Sequence, residues 1–176
     1  MARIPYAPMD VAEPAELVAA IRRRRGGKLL NLDRMLLRSP GLAAGWNVHL
    51  GAVRTGLTLD PKLREIAMCV VAVINGADYE FIQHAPVFIE AGGNQAQVDA
   101  MRDPDVAMHD AALFSASEQA AIALTVEMTR KVRVQDATFA AVRAHLSEQQ
   151  TVELVGVIAT YNMVSRFLVA LGVEPE

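Results

Sequence analysis

The chain has 176 residues, 52% of them apolar, with a formal net charge of −3 and a pI near 5.8. This length suits one well-packed domain over residues 1–176 and leaves little room for a second. The acidic balance argues against a general nucleic-acid binder, because such proteins need a clustered basic surface.

Cysteine content and the apolar windows exclude further classes of protein. Cys69 is the single cysteine, so a scaffold of internal disulfides is excluded. The N-terminal residues do not have the basic, apolar and small-residue order of a secretory signal. The most apolar windows, 66–74 and 152–173, are too short or too interrupted by polar residues for membrane spans. We expect a soluble cytoplasmic protein with neither nucleic acid nor membrane as a partner.

Apolar residues recur with helical periodicity along almost the whole chain, and no alternating window is long enough to indicate a sheet. The predicted fold class is therefore all-α. Proline and capping residues mark helix starts, and glycines mark helix ends. A loop is predicted at residues 103–114. In chain order the predicted helices cover about 14–25, 32–37, 40–56, 61–75, 77–90, 115–128, 136–145 and 147–171.

The first predicted helix ends in a run of arginines, Arg22–Arg25. Positive charge at a helix C-terminus is favoured by the negative end of the helix macrodipole. We interpret the run as a solvated helix end, and a phosphate-binding patch is the alternative.

Polar side chains stand in the apolar helical hairpin predicted at 61–90. Glu65 lies on its first arm, and Tyr79, Glu80 and His84 lie on its second arm. Glu80 and His84 are one turn apart, which places their Cβ atoms about 5–6 Å from each other. Polar groups in such surroundings need partners or a function. These four residues are the candidate catalytic residues.

The spacing of these residues resembles that of the carboxymuconolactone decarboxylase family, within the alkyl hydroperoxidase D-like superfamily. In redox members of that family the second arm begins with a CxxCxxxH motif, and a glutamate on the first arm completes a proton relay. In this chain the cysteine positions are Ala77 and Glu80, the histidine is His84 and the glutamate is Glu65. Weaker likeness extends to residues 31–40 and 161–167. The resemblance implies an alkyl hydroperoxidase D-like helical bundle whose central hairpin carries the site, assembled as a trimer or hexamer.

Loss of both cysteines removes the thiol pair that a dithiol peroxidase needs. The remaining carboxylates and imidazole can move protons without a cofactor. We predict a carboxy-lyase similar to 4-carboxymuconolactone decarboxylase, acting on a small carboxylated lactone or enolisable acid. In it His84 donates the proton, Glu80 orients or charges His84, Tyr79 stabilises the oxyanion, and Glu65 bridges the relay or holds a substrate hydroxyl.

Other functions remain open for the same residues. Isomerisation and lactone hydrolysis also need one proton moved beside an enolate or oxyanion. The main alternative is a non-catalytic, oligomeric binding protein of the same fold. A peroxidase-like antioxidant protein is less favoured, because it needs the missing thiols.

Substrate-binding candidates lie mostly on the helix before the hairpin. Arg34 and Arg54 stand in otherwise apolar helices, where each can hold a substrate carboxylate or pair with a nearby acid or a neighbouring subunit. Trp46 provides an apolar lining or part of the core, and His49 is the other histidine near the hairpin in sequence.

The same residues could instead bind a metal ion. Glu65, Glu80 and His84 together offer two carboxylates and one imidazole, a set that suits iron or manganese. The sequence places no second histidine on the hairpin. We therefore predict no metal site and no cofactor.

Overall fold

The computed structural model describes residues 1–176, which form ten α-helices and no β-strands, so the all-α prediction is confirmed. In chain order the helices are α1 (Ala15–Arg24), α2 (Asn31–Leu36), α3 (Pro40–Thr55), α4 (Pro61–Asn75), α5 (Asp78–Glu90), α6 (Gln95–Ala100), α7 (Pro104–Ala107), α8 (Ala116–Lys131), α9 (Asp136–Arg143) and α10 (Glu148–Leu171).

The contacts of the chain divide it into two compact units. The first comprises Met1–Leu57 and Leu168–Glu176, and thus holds α1 to α3 and the end of α10. The second comprises Thr58–Phe167, and holds α4 to α9 and most of α10. The expectation of one domain over residues 1–176 stays a prediction.

A buried carboxylate organises the first unit. Asp33 is 1% exposed. Its Oδ1 lies 3.3 Å from Arg24 Nη2, and its Oδ2 lies 3.1 Å from Arg25 Nε. The backbone N–H of Leu30 also donates to Oδ2 at 3.0 Å. The interpretation of the arginine run as a solvated helix end is therefore wrong for Arg24 and Arg25, which neutralise a charge brought in by α2.

The second unit is built around α4. This helix starts after Asp60, whose side chain accepts the Lys62 N–H at 2.7 Å, and ends at Gly76 in the left-handed conformation with φ of 64°. Every residue from Glu65 to Ala72 is buried, and α4 packs against α5, α7 and α8. A helix buried on all sides is the core of its unit. Any polar group in this stretch must find its partner inside the protein.

Capping explains where several helices begin. Capping boxes start two of the helices at their predicted positions, since Ser115 and Glu118 bond reciprocally before α8, and Ser147 and Gln150 do so before α10. Part of the loop predicted at 103–114 is instead α7. The Asp103 side chain starts this helix by accepting the Val106 N–H at 3.3 Å.

Helix α6 was not predicted. It starts where the Asn94 side chain accepts the Gln97 N–H at 3.0 Å. Helices of four and six residues, such as α7 and α6, are too short for apolar periodicity to reveal. Local signals marked only their starts, namely the caps Asn94 and Asp103 and the first-position Pro104 of α7.

The last helix, α10, is 24 residues long, and by length and composition alone it is apolar enough to cross a membrane. Core helices of soluble proteins share these properties. Several α10 side chains, among them Leu154, Ile158 and Tyr161, are almost completely buried in the protein. The expected absence of a membrane partner stays a prediction.

Replacement of Asp33 by asparagine tests the buried ion pairs of the first unit. The Asp33→Asn variant should unfold with a free energy about 2–4 kcal/mol lower than the wild type, because two arginines lose their charged partner while the site stays buried. Urea denaturation at pH 7 measures the difference, and Asp10→Asn, at an exposed position, is the matched control. A loss below about 0.5 kcal/mol, as at an ordinary surface position, would show that the pairs contribute little.

Candidate proton-transfer site

Two buried side chains of the hairpin bond directly to each other. Oε2 of Glu65 on α4 lies 2.6 Å from Nδ1 of His84 on α5. Glu65 is 2% exposed and His84 is 4% exposed. The two arms of the hairpin thus bring together a carboxylate and an imidazole that are 19 residues apart in the chain. A carboxylate in this position fixes the orientation of the ring and its tautomer.

The other nitrogen of the ring faces α10. His84 Nε2 lies 3.1 Å from the hydroxyl oxygen of Tyr161, and the two rings meet edge to face with centroids 5.0 Å apart. When His84 is neutral with its proton on Nδ1, Nε2 accepts the Tyr161 O–H. When His84 is charged, Nε2–H donates to the Tyr161 oxygen. The three side chains therefore form a continuous carboxylate, imidazole and phenol chain in either state.

Glu80 has a different partner. Its Oε2 lies 2.6 Å from the hydroxyl oxygen of Ser165 on α10. The same hydroxyl lies 2.8 Å from the Tyr161 carbonyl oxygen, so two acceptors share its hydrogen. Glu80 and Ser165 are 2% and 0% exposed. This second polar contact between α5 and α10 lies one turn from the contact of His84.

The charge on Glu65 is stabilised despite burial. Burial by itself raises the pKa of the Glu65 carboxyl, but the hydrogen bond and charge of His84, followed by those of Arg64, outweigh it. The pKa of Glu65 is held below its ordinary value of 4.5 as a result. Arg64 contributes through its Nε, which lies 3.1 Å from Glu65 Oε1. Glu65 is therefore an anion at neutral pH.

Cys69 lies one turn after Glu65 on α4 and is completely buried. Burial, followed by the negative charges of Glu65 and Glu80, strongly raises the pKa of the Cys69 thiol. A thiol in this state is a poor nucleophile, because the thiolate is the reactive form.

Tyr79 is buried on α5, at 5% exposure. Five residues along an α-helix correspond to a rotation of roughly 140°, so Tyr79 and His84 project from different sides of α5. Its predicted role toward an oxyanion stays a prediction, as do the catalytic roles predicted for Glu65, Glu80 and His84.

The four substrate-binding candidates lie in the first unit. Arg34 Nε donates to the Ala7 carbonyl at 2.7 Å, and its guanidinium lies 5.1 Å from the centre of the Tyr6 ring. These contacts fasten the N-terminal segment to α2. On α3, Trp46 is buried, His49 is exposed and Arg54 is half-buried. Substrate contact by Arg34, Trp46, His49 and Arg54 stays a prediction.

A metal site is not apparent among the acidic, histidine and cysteine side chains. No group of three or more of them is arranged to hold an ion. Instead, Glu65 and His84 bind each other, and Glu80 binds Ser165.

Sequence reasoning missed Tyr161, Ser165 and Arg64 as members of the site. Tyr161 and Ser165 are four residues apart on α10 and therefore share one face of the helix. Two polar side chains with this spacing in an apolar helix were a usable signal. Their contacts with α5, 77 and 85 residues away along the chain, were not readable from the sequence.

The charge state of Glu65 predicts how stability depends on pH. The folded-state pKa is lowered, so the stability from ionised Glu65 is complete above the unfolded value near 4.5 and is lost as pH falls through the folded value. The Glu65→Gln variant should be about 2–4 kcal/mol less stable than the wild type at pH 7, and this gap should shrink below about pH 4.5. Urea denaturation between pH 3.5 and 7 measures it, with Glu90→Gln, at an exposed position of α5, as control. A gap that is constant with pH would contradict an ionised Glu65.

Comparison of the sequence with known families finds a match. The sequence model of the carboxymuconolactone decarboxylase family matches residues 40–127, which include α4 and α5. No curated protein matches the chain.

Solved structures share the fold at low sequence identity. A peroxidase-related protein from Silicibacter sp. TM1040 is 18% identical with a TM-score of 0.82, over 99% of this chain and 94% of that chain. The debrominase Bmp8 in complex with 2,3,4-tribromopyrrole is 16% identical with a TM-score of 0.83, over 100% and 94%. An alkylhydroperoxidase AhpD core protein from Ralstonia eutropha JMP134 is 14% identical with a TM-score of 0.80, over 99% and 92%. The predicted alkyl hydroperoxidase D-like bundle is thereby confirmed, and the chain belongs to the carboxymuconolactone decarboxylase family.

Proposed function

We propose that this protein is a cofactor-independent acid–base enzyme that decarboxylates a small carboxylated lactone or enolisable acid. The observation that carries the proposal is the buried chain from Glu65 through His84 to Tyr161, with contacts of 2.6 Å and 3.1 Å. Family membership supports the reaction class, and we extend the proposal to a soluble cytoplasmic homo-oligomer, a trimer or hexamer.

The proposed reaction needs one proton for each CO2 released. Loss of CO2 from the substrate carboxylate leaves a carbanion that the substrate delocalises as an enolate or dienolate, and carbon then takes up a proton. Both ring nitrogens of His84 are bonded to protein atoms, so we assign the final transfer to Tyr161. Its phenol gives its proton to carbon and receives the Nε2 proton of charged His84.

Glu65 completes the cycle by holding the charged state of His84. Its carboxylate accepts the Nδ1–H throughout and stabilises the imidazolium from which the proton leaves. Afterwards His84 is neutral, and a proton from water restores it. The net change is conversion of one carboxylate and one proton into one C–H bond and CO2.

We do not propose peroxidase activity, although some of the similar structures are peroxidase-related proteins. Cys69 is the single cysteine, it is buried, and the pKa of its thiol is raised. A dithiol cycle needs a second cysteine, and an attacking thiol needs to be ionised and accessible. Proton transfer is the chemistry for which this site retains groups.

A non-catalytic binding or assembly protein is the second candidate, and burial favours it. Tyr161, Glu65 and His84 are 1%, 2% and 4% exposed, so a substrate reaches them only after the surrounding helices move. Under this alternative the chain of hydrogen bonds holds α4, α5 and α10 together and moves no proton to a substrate.

Substitution of the relay separates the two candidates. Assay of CO2 release from a panel of carboxylated γ-lactones and β-keto acids should identify a substrate for the wild type. Tyr161→Phe and His84→Gln should each lower kcat by about 10²–10⁴-fold, the usual contribution of a general acid, and the double variant should be no worse than the poorer single variant. His145→Gln, at an exposed histidine, should keep full activity.

Stability measurements on the same variants complete the test. Tyr161→Phe keeps the aromatic ring and loses one hydrogen bond, so its unfolding free energy should fall by only about 1 kcal/mol. Lost turnover with this small change and an unchanged oligomeric state supports catalysis. Absence of CO2 release across the panel, together with large stability losses in both variants, supports the structural candidate.

The single thiol gives a separate prediction about redox activity. Wild type and Cys69→Ala should both fail to consume hydroperoxide when a thiol reductant is supplied, because neither has an ionised, accessible thiol. Reductant-dependent hydroperoxide consumption by the wild type that disappears in Cys69→Ala would overturn the assignment to proton chemistry.

A further inference from the structure

A groove of about 290 Å³ lies on the side of α5 away from the proton-transfer site. It is formed by side chains of α5, of α6 and of the residues just after α6. The residues used below are Phe81, Ile82, Pro86, Ile89, Val98 and Arg102. From His84 to Pro86 the helix turns by roughly 200°, so this groove and the relay use nearly opposite faces of α5.

Arg102 provides a positive charge at the groove. Its guanidinium carbon lies 4.4 Å from the centre of the Phe81 ring, a cation–π geometry, and Phe81 is itself buried at 5% exposure. The Arg102 side chain forms no ion pair and no hydrogen bond in the structure. By comparison, Arg130 is neutralised by Asp105 through two contacts of 2.6 Å and 2.9 Å. Arg102 is thus held in place on a rigid ring while its charge is not neutralised.

Apolar surface adjoins this charge. Ile82 is 53% exposed and Ile89 is 42% exposed, and both line the groove, about two turns apart on α5. Pro86 lies between them, also exposed, and has no N–H to offer to a ligand. Val98 of α6 contributes the opposite apolar wall. A ligand that covers these side chains gains from leaving water, and it needs no hydrogen-bonding groups along its body.

We infer that the groove binds a small monocarboxylate with an apolar chain or ring, whose carboxylate pairs with Arg102. A planar guanidinium offers two parallel N–H groups to a carboxylate, and stacking on Phe81 has already restricted its orientation. The apolar body then lies along Ile82, Pro86 and Ile89. The groove volume is at the lower end of that of small-molecule sites, which limits the ligand to a short chain or a single ring. This inference is independent of the proposed decarboxylase activity, because no residue of the relay lines the groove.

Octanoate is the probe for the test, and octylammonium is its match in chain length with reversed charge. Titration of the full-length protein, followed by calorimetry and by amide NMR shifts of α5 and α6, should show saturable binding of octanoate. Octylammonium should bind at least about tenfold more weakly. Arg102→Gln should weaken octanoate binding by about tenfold or more, since a charge-assisted pair is lost. The affinity of Arg102→Lys for octanoate should fall between those of the wild type and Arg102→Gln, because an ammonium keeps the charge without the paired donors.

A control variant and the oligomeric state complete the test of the groove. Arg133→Gln removes an equivalent charge from an exposed arginine in the loop after α8, and it should bind octanoate like the wild type. Equal binding of octanoate and octylammonium, unchanged binding by Arg102→Gln, or no saturable binding would each overturn the inference. It would also be overturned if Ile82→Asp converts an oligomer to a smaller species in sedimentation, since the groove would then be covered by a second copy of the chain.

Discussion

A charged carboxylate inside the buried stretch of α4 is the constraint on which the second unit depends. Every neighbour of Glu65 along α4 up to Ala72 is buried, so water cannot solvate its charge. Removing an ion from water costs several kcal/mol unless protein groups replace the lost hydration. His84 and Arg64 do so, one to each carboxylate oxygen. The contact with His84 fixes how α5 lies against α4.

The same constraint extends to α10 through His84. A buried imidazole has two nitrogens to satisfy, and Glu65 takes one while Tyr161 takes the other. Ser165 adds a contact to Glu80 one turn away. Glu80 stands where redox relatives have a cysteine. Burial raises the pKa of the Cys69 thiol, and the charges of Glu65 and Glu80 raise it further. A thiol held protonated in this way is a poor nucleophile, since the thiolate is the reactive form.

The sequence predicted those parts of the molecule that depend on local signals. Capping residues such as Ser115 and Ser147 placed the starts of α8 and α10, because a cap bonds to backbone only three residues away. Glu65 and His84 were recognised because the hairpin fixes their spacing. Tyr161 was missed as a partner, and Arg24 and Arg25 were misread, since the groups they meet come from other helices. Packing of distant segments, which decided those contacts, leaves no periodic trace in the chain.

The buried polar contacts and the outer groove use opposite faces of α5. Its inner face holds Glu80 and His84, whose contacts bind it to α4 and α10, so the backbone of α5 has little freedom to move. Its outer face exposes Ile82 and Ile89 beside Arg102. A rigid inner face therefore keeps the outer face in one shape, which lowers the ordering cost for anything that binds there. The buried charge of Glu65 thus also helps to fix the helix on which the outer groove is built.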